Sequence, residues 1–314
     1  MAERRAKRRE LQVHLEYSFD RLLTQKLVDR KRSAPKRLRL KYIDAAPHVR
    51  AAFLMIAAVL LVSHMASGQS LRSRIEEHHR LYVPAGDGTF ATVVALPGCS
   101  GVSLNSPATD EGRPGDEGDR LFRTHYPKMA ERLRDAGFAV FLVDYLSAEG
   151  VLNACGDKIT LETIAKYITE SVALVRESSF VDTSRIHIIG WSMGGRGLLE
   201  WLQARTAASS SVHSVVAVYA GCAAANPWNA FLPTLMLLGG ADDLASAGVC
   251  QDLVAQLPEG HQVSVRVYPG GRHGFDIEAA PPIAEIGGGQ MPAYDEEAAR
   301  EAWHDLVTFL VPVE

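Results

Sequence analysis

The sequence predicts an α/β fold in which a mostly parallel central sheet carries helices on both faces. Strand-like and helix-like segments alternate along the chain, and most of the strand-like ones are short apolar runs suited to burial on both sides. The predicted strands are 92–96, 139–143, 185–189, 212–219, 233–238 and 263–268. The predicted helices are 126–136, 161–177, 194–203 and 296–310.

Composition restricts the classes of function. The chain has 314 residues, 47% of them hydrophobic, and a formal net charge of −4, which gives no sign of nucleic-acid binding. It carries no internal repeat, P-loop, dinucleotide fingerprint or zinc-type spacing of Cys and His. We therefore expect a small-molecule substrate, no cofactor and no metal, while the oligomeric state stays open.

The most informative motif is Gly190-Trp191-Ser192-Met193-Gly194, which joins a predicted strand to a predicted helix. G-x-S-x-G at such a junction is typical of a nucleophile elbow, where the serine occupies a strained turn with its Oγ exposed. An ordinary turn serine is the alternative. The flanking elements favour Ser192 as a nucleophile.

A serine nucleophile needs a base and an acid, and both follow in the order that this arrangement requires. Asp242 and Asp243 come after strand 233–238, and His273 lies on a glycine-rich loop after strand 263–268. Carboxyl ends of parallel strands share one edge of a sheet, so these residues should meet there. A surface histidine is the alternative for His273. Of the two aspartates we favour Asp242, with the other capping the next helix or meeting solvent.

The chain from about Arg80 onward resembles the dienelactone hydrolase family of the α/β-hydrolases. The segments that carry this resemblance are VVALPGCSG (93–101), FLVDY (141–145), GWSMGG (190–195), LLGGADD (237–243) and YPGGRHGF (268–275). It implies the α/β-hydrolase fold and hydrolysis of small carboxylic esters or lactones without a cofactor. In the family the acid stands three residues after the strand-ending glycine, which here selects Asp242.

The chain departs from the family pattern at two positions. Pro97 stands where the family often has a histidine, and Ser192 stands where the original dienelactone hydrolases have a cysteine. The second departure points towards the serine-based esterases of the family rather than towards dienelactone itself.

The chemistry also needs donors for the oxyanion of the tetrahedral intermediate. One is expected to be the backbone N–H of Met193, and the resemblance assigns the other to Cys99. A plain tight turn is the other interpretation of 98–101, and both can hold together. His273 would then take the proton from Ser192, and water would later hydrolyse the acyl-enzyme.

The substrate is less well defined by the sequence. The loop 102–119 is expected to border the pocket, and Trp191, Trp228 and Tyr145 are candidates for its walls or for ordinary packing. No lid domain or long apolar insertion indicates a lipase. The alternative function is a catalytically inactive binding module at the cell envelope, although a chain released from chemistry has no reason to keep the three candidate catalytic residues.

The N-terminal part differs from the rest. Residues 1–48 are strongly basic and are expected to be disordered, or untranslated if a GTG start lies near Val49. Residues 49–68 contain the apolar run 51–62, which suits a signal peptide; the alternative is a membrane anchor, with membrane contact through that run. Residues 69–314 form the expected catalytic domain. We therefore expect an exported protein, periplasmic or secreted.

The four cysteines agree with export, because disulfides persist in oxidising compartments. Cys222 follows one predicted strand and Cys250 lies in the helix after the acid loop, so these two could pair. Cys99 and Cys155 lie on loops at the rim of the sheet and could form a second bridge. Four reduced thiols remain the alternative, because sequence does not fix connectivity.

Overall fold

The structure is a computed structural model, and it describes residues 69–102, 116–155, 158–204, 211–223, 225–228, 231–278 and 293–311. These residues belong to one compact unit, Gly68–Glu314. The expected basic segment 1–48 and the expected signal peptide or anchor 49–68 lie outside the described residues. Across the described ranges, no helix combines the length and apolar character that crossing a bilayer requires.

Strands and helices alternate along most of the described chain. The strands are β1 His79–Tyr82, β2 Phe90–Leu96, β3 Ala139–Val143, β4 Val181–Trp191, β5 Ser214–Val218, β6 Thr234–Gly239 and β7 Val263–Tyr268. The helices are α1 Leu71–Glu77, α2 Asp116–Asp135, α3 Tyr145–Ala148, α4 Leu161–Val175, α5 Met193–Gln203, α6 Ala247–Val254 and α7 Glu296–Leu310.

Within the described residues the strands form one sheet in the order β1-β3-β2-β4-β5-β6-β7. Every neighbouring pair is parallel except β1 with β3, which pair antiparallel at the edge. The predicted mostly parallel sheet is therefore confirmed. The sequence did not reveal β1, because four residues of mixed burial show neither an apolar run nor a clear alternation.

The core has two layers, one on each face of the sheet. Val94 and Leu96 of β2 pack in the layer that includes buried residues of α4 and α5. Val93 and Ala95, the alternate residues of the same strand, pack in the layer that includes buried residues of α2 and α7. Both faces of the strand are buried, which explains why it is apolar throughout.

Register places the strand ends that matter at one edge of the sheet. Leu96 of β2 pairs with Gly190 of β4, so the first loop leaves beside the G-x-S-x-G turn. Gly239 of β6 pairs with Tyr268 of β7, so the loops with the candidate acid and the candidate base also leave side by side. Loops beyond the carboxyl ends of parallel strands are where open α/β sheets bind their ligands.

Candidate active site

Ser192 lies in the turn between β4 and α5, as predicted. Its backbone has φ 49° and ψ −113°, a region that costs free energy for any residue with a side chain. Two hydrogen bonds hold it there: the Ser192 amide donates to the Val218 carbonyl and the Arg196 amide donates to the Ser192 carbonyl, both at 2.9 Å. This is the strained turn that the motif predicts, and the Ser192 side chain faces His273 from it.

The glycines of the motif are required by close backbone contacts. A Cβ on Gly190 would lie 2.6 Å from the backbone of Gly194, and a Cβ on Gly194 would lie 2.5 Å from the Leu96 carbonyl oxygen. Because both contacts are with backbone atoms, a side chain at Gly190 or Gly194 would force the main chain to shift. The G-x-S-x-G pattern is thus explained by packing around Ser192 as well as by the turn itself.

Ser192, His273 and Asp242 form a continuous chain of hydrogen bonds. Ser192 Oγ lies 2.8 Å from His273 Nε2, and His273 Nδ1 lies 2.9 Å from Asp242 Oδ2. In the tautomer with the proton on Nδ1, the imidazole donates to the carboxylate and accepts from the serine hydroxyl. This is the arrangement by which an acid orients a base toward a nucleophile.

The structure distinguishes the two adjacent aspartates. The Asp242 side chain is fully buried, and its Oδ1 accepts hydrogen bonds from the amides of Leu244 and Ala245, each at 2.8 Å. The Asp243 side chain is 76% exposed and lies 3.8 Å from Arg272. Of the two, Asp242 is the one that faces His273, and three hydrogen bonds fix the orientation of its carboxylate.

The loops of the acid and of the base are tied together by main-chain bonds. The Gly240 amide donates to the Tyr268 carbonyl at 2.7 Å, and the Ala241 amide donates to the Gly271 carbonyl at 3.0 Å. These bonds continue the β6–β7 pairing beyond the sheet. They fix the distance between the two loops that carry Asp242 and His273.

The expected oxyanion donors lie in two segments that meet at the nucleophile. A Cβ on Gly98 would lie 3.3 Å from the Ser192 Cβ, so the loop before Cys99 packs directly against the serine. Met193 begins α5, and the first amides of a helix have no carbonyl partner inside that helix. The loop also makes a tight turn, in which the Gly101 amide donates to the Gly98 carbonyl at 3.1 Å.

The loop that carries Cys99 is anchored from three directions. Cys99 forms a disulfide with Cys155, and the Cys99 carbonyl accepts from the Ala154 amide at 2.8 Å. The Tyr145 hydroxyl donates to the Pro97 carbonyl at 3.0 Å. Since a donor stabilises an oxyanion best when it is already in place, this anchoring suits the expected role of the Cys99 amide.

Both expected disulfides, Cys99–Cys155 and Cys222–Cys250, are present. The pairing suggested by the positions of the cysteines is therefore confirmed, and the alternative of four reduced thiols is wrong. Disulfides of this kind point to an oxidising, exported environment.

The buried carboxylate of Asp276, which also lies near the candidate triad, was not anticipated. Its Oδ1 accepts from the Tyr219 hydroxyl at 2.9 Å, its Oδ2 accepts from Trp191 Nε1 at 3.3 Å, and His125 Nε2 lies 3.3 Å from Oδ2. Burial by itself would raise the pKa of Asp276, but the charge of His125 and the donated hydrogen bonds together hold it below its ordinary value. The only signal in the sequence is an acidic residue three positions after His273.

Asp276 connects to the candidate triad through Tyr219. Tyr219 has φ 35°, and its ring lies edge-on to the His273 imidazole with 4.9 Å between centroids. The Tyr219 backbone is held by its amide, which donates to the Leu237 carbonyl at 2.7 Å, and its side chain is held by the hydrogen bond from its hydroxyl to Asp276. Asp276 therefore fixes one wall of the space that His273 occupies.

The three aromatic candidates for pocket walls serve as packing. Trp191, Trp228 and Tyr145 are each 1% exposed or less. Most of the loop 102–119, expected to border the pocket, lies outside the described residues. Within the described part of the chain, no group of three or more His, Cys, Asp or Glu is placed to hold a metal ion.

With this geometry established, comparison with known proteins identifies the family. The dienelactone hydrolase family matches residues 122–313, more than half of the chain. The chain belongs to the dienelactone hydrolase family. It is accordingly a hydrolase of the α/β-hydrolase fold, as the resemblance implied. Among curated proteins, none matches the chain in sequence.

Two solved structures illustrate the shared fold of this dienelactone hydrolase family member. A provisionally named dienelactone hydrolase from Klebsiella pneumoniae has 16% identity and a TM-score of 0.53, covering 72% of this chain and 88% of its own. A dienelactone hydrolase-like promiscuous phosphotriesterase from metagenomic libraries has 18% identity and a TM-score of 0.51, covering 72% of this chain and 87% of its own. At such low identity the likeness concerns the fold alone.

Proposed function

We propose that this hydrolase cleaves small carboxylic esters or lactones through an acyl-enzyme formed on Ser192. The observation that carries the proposal is the hydrogen-bonded chain from Ser192 Oγ through His273 to Asp242, with links of 2.8 and 2.9 Å. A serine hydroxyl is a weak nucleophile until a neighbouring base accepts its proton. His273 is placed to accept it, and the buried Asp242 is placed to stabilise the imidazolium that results.

The reaction follows in two halves. Ser192 Oγ attacks the ester carbonyl carbon while its proton passes to His273 Nε2, giving a tetrahedral intermediate. Collapse of the intermediate breaks the bond to the alcohol oxygen, which takes the proton from His273. Water then attacks the acyl-enzyme with His273 again as the base, and the acid leaves as Ser192 recovers its proton. In a lactone the alcohol and the acid leave as one molecule.

The developing oxyanion needs donors that are in place before the reaction. The amides of Cys99 and Met193 are the proposed pair, one on the disulfide-anchored loop and the other at the start of α5. Loss of one such donor typically costs about 3 kcal/mol of barrier. Because both donors are main-chain groups, Pro97 in place of the family's histidine does not remove them.

The proposal is tested by steady-state hydrolysis of p-nitrophenyl acetate, butyrate and octanoate by the full chain, made in an oxidising compartment. We expect kcat/KM to fall with acyl length and to fall at least about 10³-fold in Ser192→Ala. Ser264→Ala, at an exposed position of β7, is the matched control and should retain full activity. Paraoxon belongs in the panel, because one similar structure is described as a promiscuous phosphotriesterase.

The outcomes separate the candidate functions. Ester hydrolysis that disappears only in Ser192→Ala supports a serine esterase. Hydrolysis of paraoxon in preference to every ester points instead to phosphotriester chemistry at the same serine. Absence of hydrolysis of the whole panel, or equal activity in Ser192→Ala, contradicts the proposal and favours the inactive binding module.

We further propose that the protein is exported, with residues 69–314 as the catalytic domain. Two disulfides support an oxidising compartment. The apolar run 51–62 would be the core of a signal peptide, with a membrane anchor as the alternative. Mass spectrometry of the N-terminus of protein recovered from each cell fraction tests this: a mature N-terminus near residue 69 in a soluble fraction supports export with cleavage, and peptides from 1–48 on membrane-bound protein support the anchor.

A further inference from the structure

Tyr126 carries a buried hydroxyl that the proposed mechanism does not use. The residue lies on α2 and is 1% exposed, with its ring against the indole of Trp191 at 5.7 Å between centroids. Within the described part of the chain, the Tyr126 hydroxyl has no acceptor for its proton. An unpaired buried hydroxyl typically costs about 1–3 kcal/mol, so its presence beside a candidate active site calls for a reason.

Neighbouring tyrosines show that partners can be found here. The Tyr145 hydroxyl donates to the Pro97 carbonyl at 3.0 Å, and the Tyr219 hydroxyl donates to Asp276 at 2.9 Å. Both side chains are as deeply buried as that of Tyr126. The lack of an acceptor for the Tyr126 hydroxyl is therefore a property of its position and not of buried tyrosines in this protein.

The Tyr126 hydroxyl borders the nucleophile across Gly98. A Cβ on Gly98 would lie 2.5 Å from Tyr126 Oη and 3.3 Å from the Ser192 Cβ. One small space, kept open by the absence of a side chain at residue 98, thus separates the phenol from the serine. Gly98 also precedes Cys99, whose amide is a proposed oxyanion donor, so the hydroxyl lies beside the place where negative charge develops.

The phenol remains a hydrogen-bond donor at working pH. Burial raises the pKa of Tyr126 well above its ordinary value; the Gly98 N–H, which faces the phenol oxygen, lowers it in part, and the charge of Asp276 raises it further. The hydroxyl therefore keeps its proton while His273 cycles between its neutral and charged forms. A neutral donor next to a developing oxyanion is stabilising, whereas a phenolate there would repel it.

We propose that Tyr126 is a catalytic residue whose hydroxyl donates a third hydrogen bond to the tetrahedral intermediate on Ser192, beside the amides of Cys99 and Met193. The inference rests on the proposed acyl-enzyme function. The free hydroxyl gains its partner only when substrate oxygen is present. An interaction that is completed in the transition state and absent from the free enzyme raises kcat rather than affinity for substrate.

The test compares Tyr126→Phe with Tyr167→Phe in the full chain, using p-nitrophenyl acetate. Tyr126→Phe should lower kcat about 10- to 100-fold with KM changed less than about twofold, and should leave Tm unchanged or higher because an unpaired buried hydroxyl is removed. Tyr167 is equally buried, but its hydroxyl donates to Glu149 at 2.8 Å on another part of the molecule. Tyr167→Phe should lower Tm and leave kcat unchanged.

Binding of phenylboronic acid, followed by thermal shift, gives a second reading that needs no turnover. A boronic acid forms a tetrahedral adduct with a serine nucleophile, so Tyr126→Phe should weaken its affinity by a factor similar to the loss in kcat. Unchanged kcat and unchanged boronate affinity in Tyr126→Phe overturn the inference. A second pattern also overturns it: Tyr126→Phe loses kcat and loses as much Tm as Tyr167→Phe, but binds the boronate as tightly as the wild type. That pattern indicates a structural role.

Failure of this inference is distinguishable from failure of the proposed function. Wild-type enzyme that hydrolyses the ester, loses activity in Ser192→Ala and keeps it in Tyr126→Phe disproves only the role of Tyr126. Wild-type enzyme without esterase activity, or with activity that survives in Ser192→Ala, contradicts the acyl-enzyme proposal itself and the role of Tyr126 with it.

Discussion

One histidine–aspartate pair contacts Ser192 and another contacts Trp191, and the two pairs are built differently. In the first pair His273 faces Asp242 through Nδ1 at 2.9 Å and reaches Ser192 through Nε2 at 2.8 Å. In the second, His125 faces Asp276 through Nε2 at 3.3 Å. Both carboxylates are buried, and both accept two further hydrogen bonds, which come from main-chain amides at Asp242 and from side chains at Asp276.

The difference shows what makes such a pair useful for catalysis. His273 has one nitrogen on the acid and the other on a hydroxyl, so a proton taken from Ser192 is stabilised by Asp242. His125 turns its Nε2 to the carboxylate, and the Asp276 carboxylate holds Trp191 and Tyr219, the residues that pack around the candidate triad. The first pair is arranged to move a proton, and the second is arranged to hold aromatic side chains in place.

The largest expected effect separates the two histidines. His273→Asn should lower kcat for p-nitrophenyl acetate about 10⁴-fold or more, because Ser192 loses its base. His125→Asn should lower kcat less than about 10-fold, because His125 contacts Asp276 and does not contact Ser192. Steady-state kinetics on the two purified variants, with circular dichroism to check folding, makes the comparison.

A smaller effect separates the two aspartates. Asp242→Asn should lower kcat about 10³- to 10⁴-fold, because the amide favours the wrong imidazole tautomer, with only a modest change in stability. Asp276→Asn should lower kcat about 10-fold and the free energy of unfolding by about 3 kcal/mol, because an amide cannot satisfy the donors of Trp191, Tyr219 and His125 together. Steady-state kinetics and urea unfolding on both variants measure these two effects. A similar loss of kcat in both variants would contradict the distinction between a pair that transfers a proton and a pair that holds aromatic side chains in place.

The lowered pKa of Asp276 also predicts how the free energy of unfolding changes at acidic pH. Its pKa is lower in the folded protein than in the unfolded chain, so its contribution is complete above pH about 4 and is lost as pH falls through the folded value. Asp276→Asn should therefore lose less stability than the wild type on acidification below pH about 4. An equal acid dependence in both proteins would mean that other carboxylates account for it.

The smallest effect concerns His187, a buried histidine of β4. Its Nδ1 lies 2.7 Å from Ser214 Oγ, and burial lowers its pKa to about 4, with the charges of His213 and Arg185 adding to the shift. The unfolded chain binds this proton near pH 6.5, so the stability that His187 contributes is complete above that pH and is lost as pH falls toward 4.

The expected loss from His187 is about 2 kcal/mol between pH 7 and pH 5. His187→Gln keeps a hydrogen bond to Ser214 within reach but cannot titrate, so its free energy of unfolding should fall less over the same range. Urea unfolding at the two pH values measures this. A drop of equal size in wild type and variant would show that the titration lies elsewhere.

The sequence predicted most of the fold and the main residues of the site for identifiable reasons. Buried parallel strands are apolar runs, and Ser192 and His273 follow such runs within glycine-rich turns. Asp242 was favoured over Asp243 on the family's spacing, and the structure adds the physical difference between them, since the loop buries the Asp242 side chain and exposes that of Asp243. His125, Tyr126 and Asp276 were missed because their roles arise from contact between distant elements.

The measurement that tests the central claim most directly is the covalent intermediate. Wild-type enzyme mixed with p-nitrophenyl acetate and quenched within the first turnover is digested and analysed by mass spectrometry, beside Ser192→Ala. We expect one acetyl group on the wild-type peptide that contains Ser192, formed together with a burst of p-nitrophenol, and neither in the variant. Rapid turnover with no acetylated Ser192, or a burst that persists in Ser192→Ala, would contradict the acyl-enzyme and with it the role assigned to His273 and Asp242.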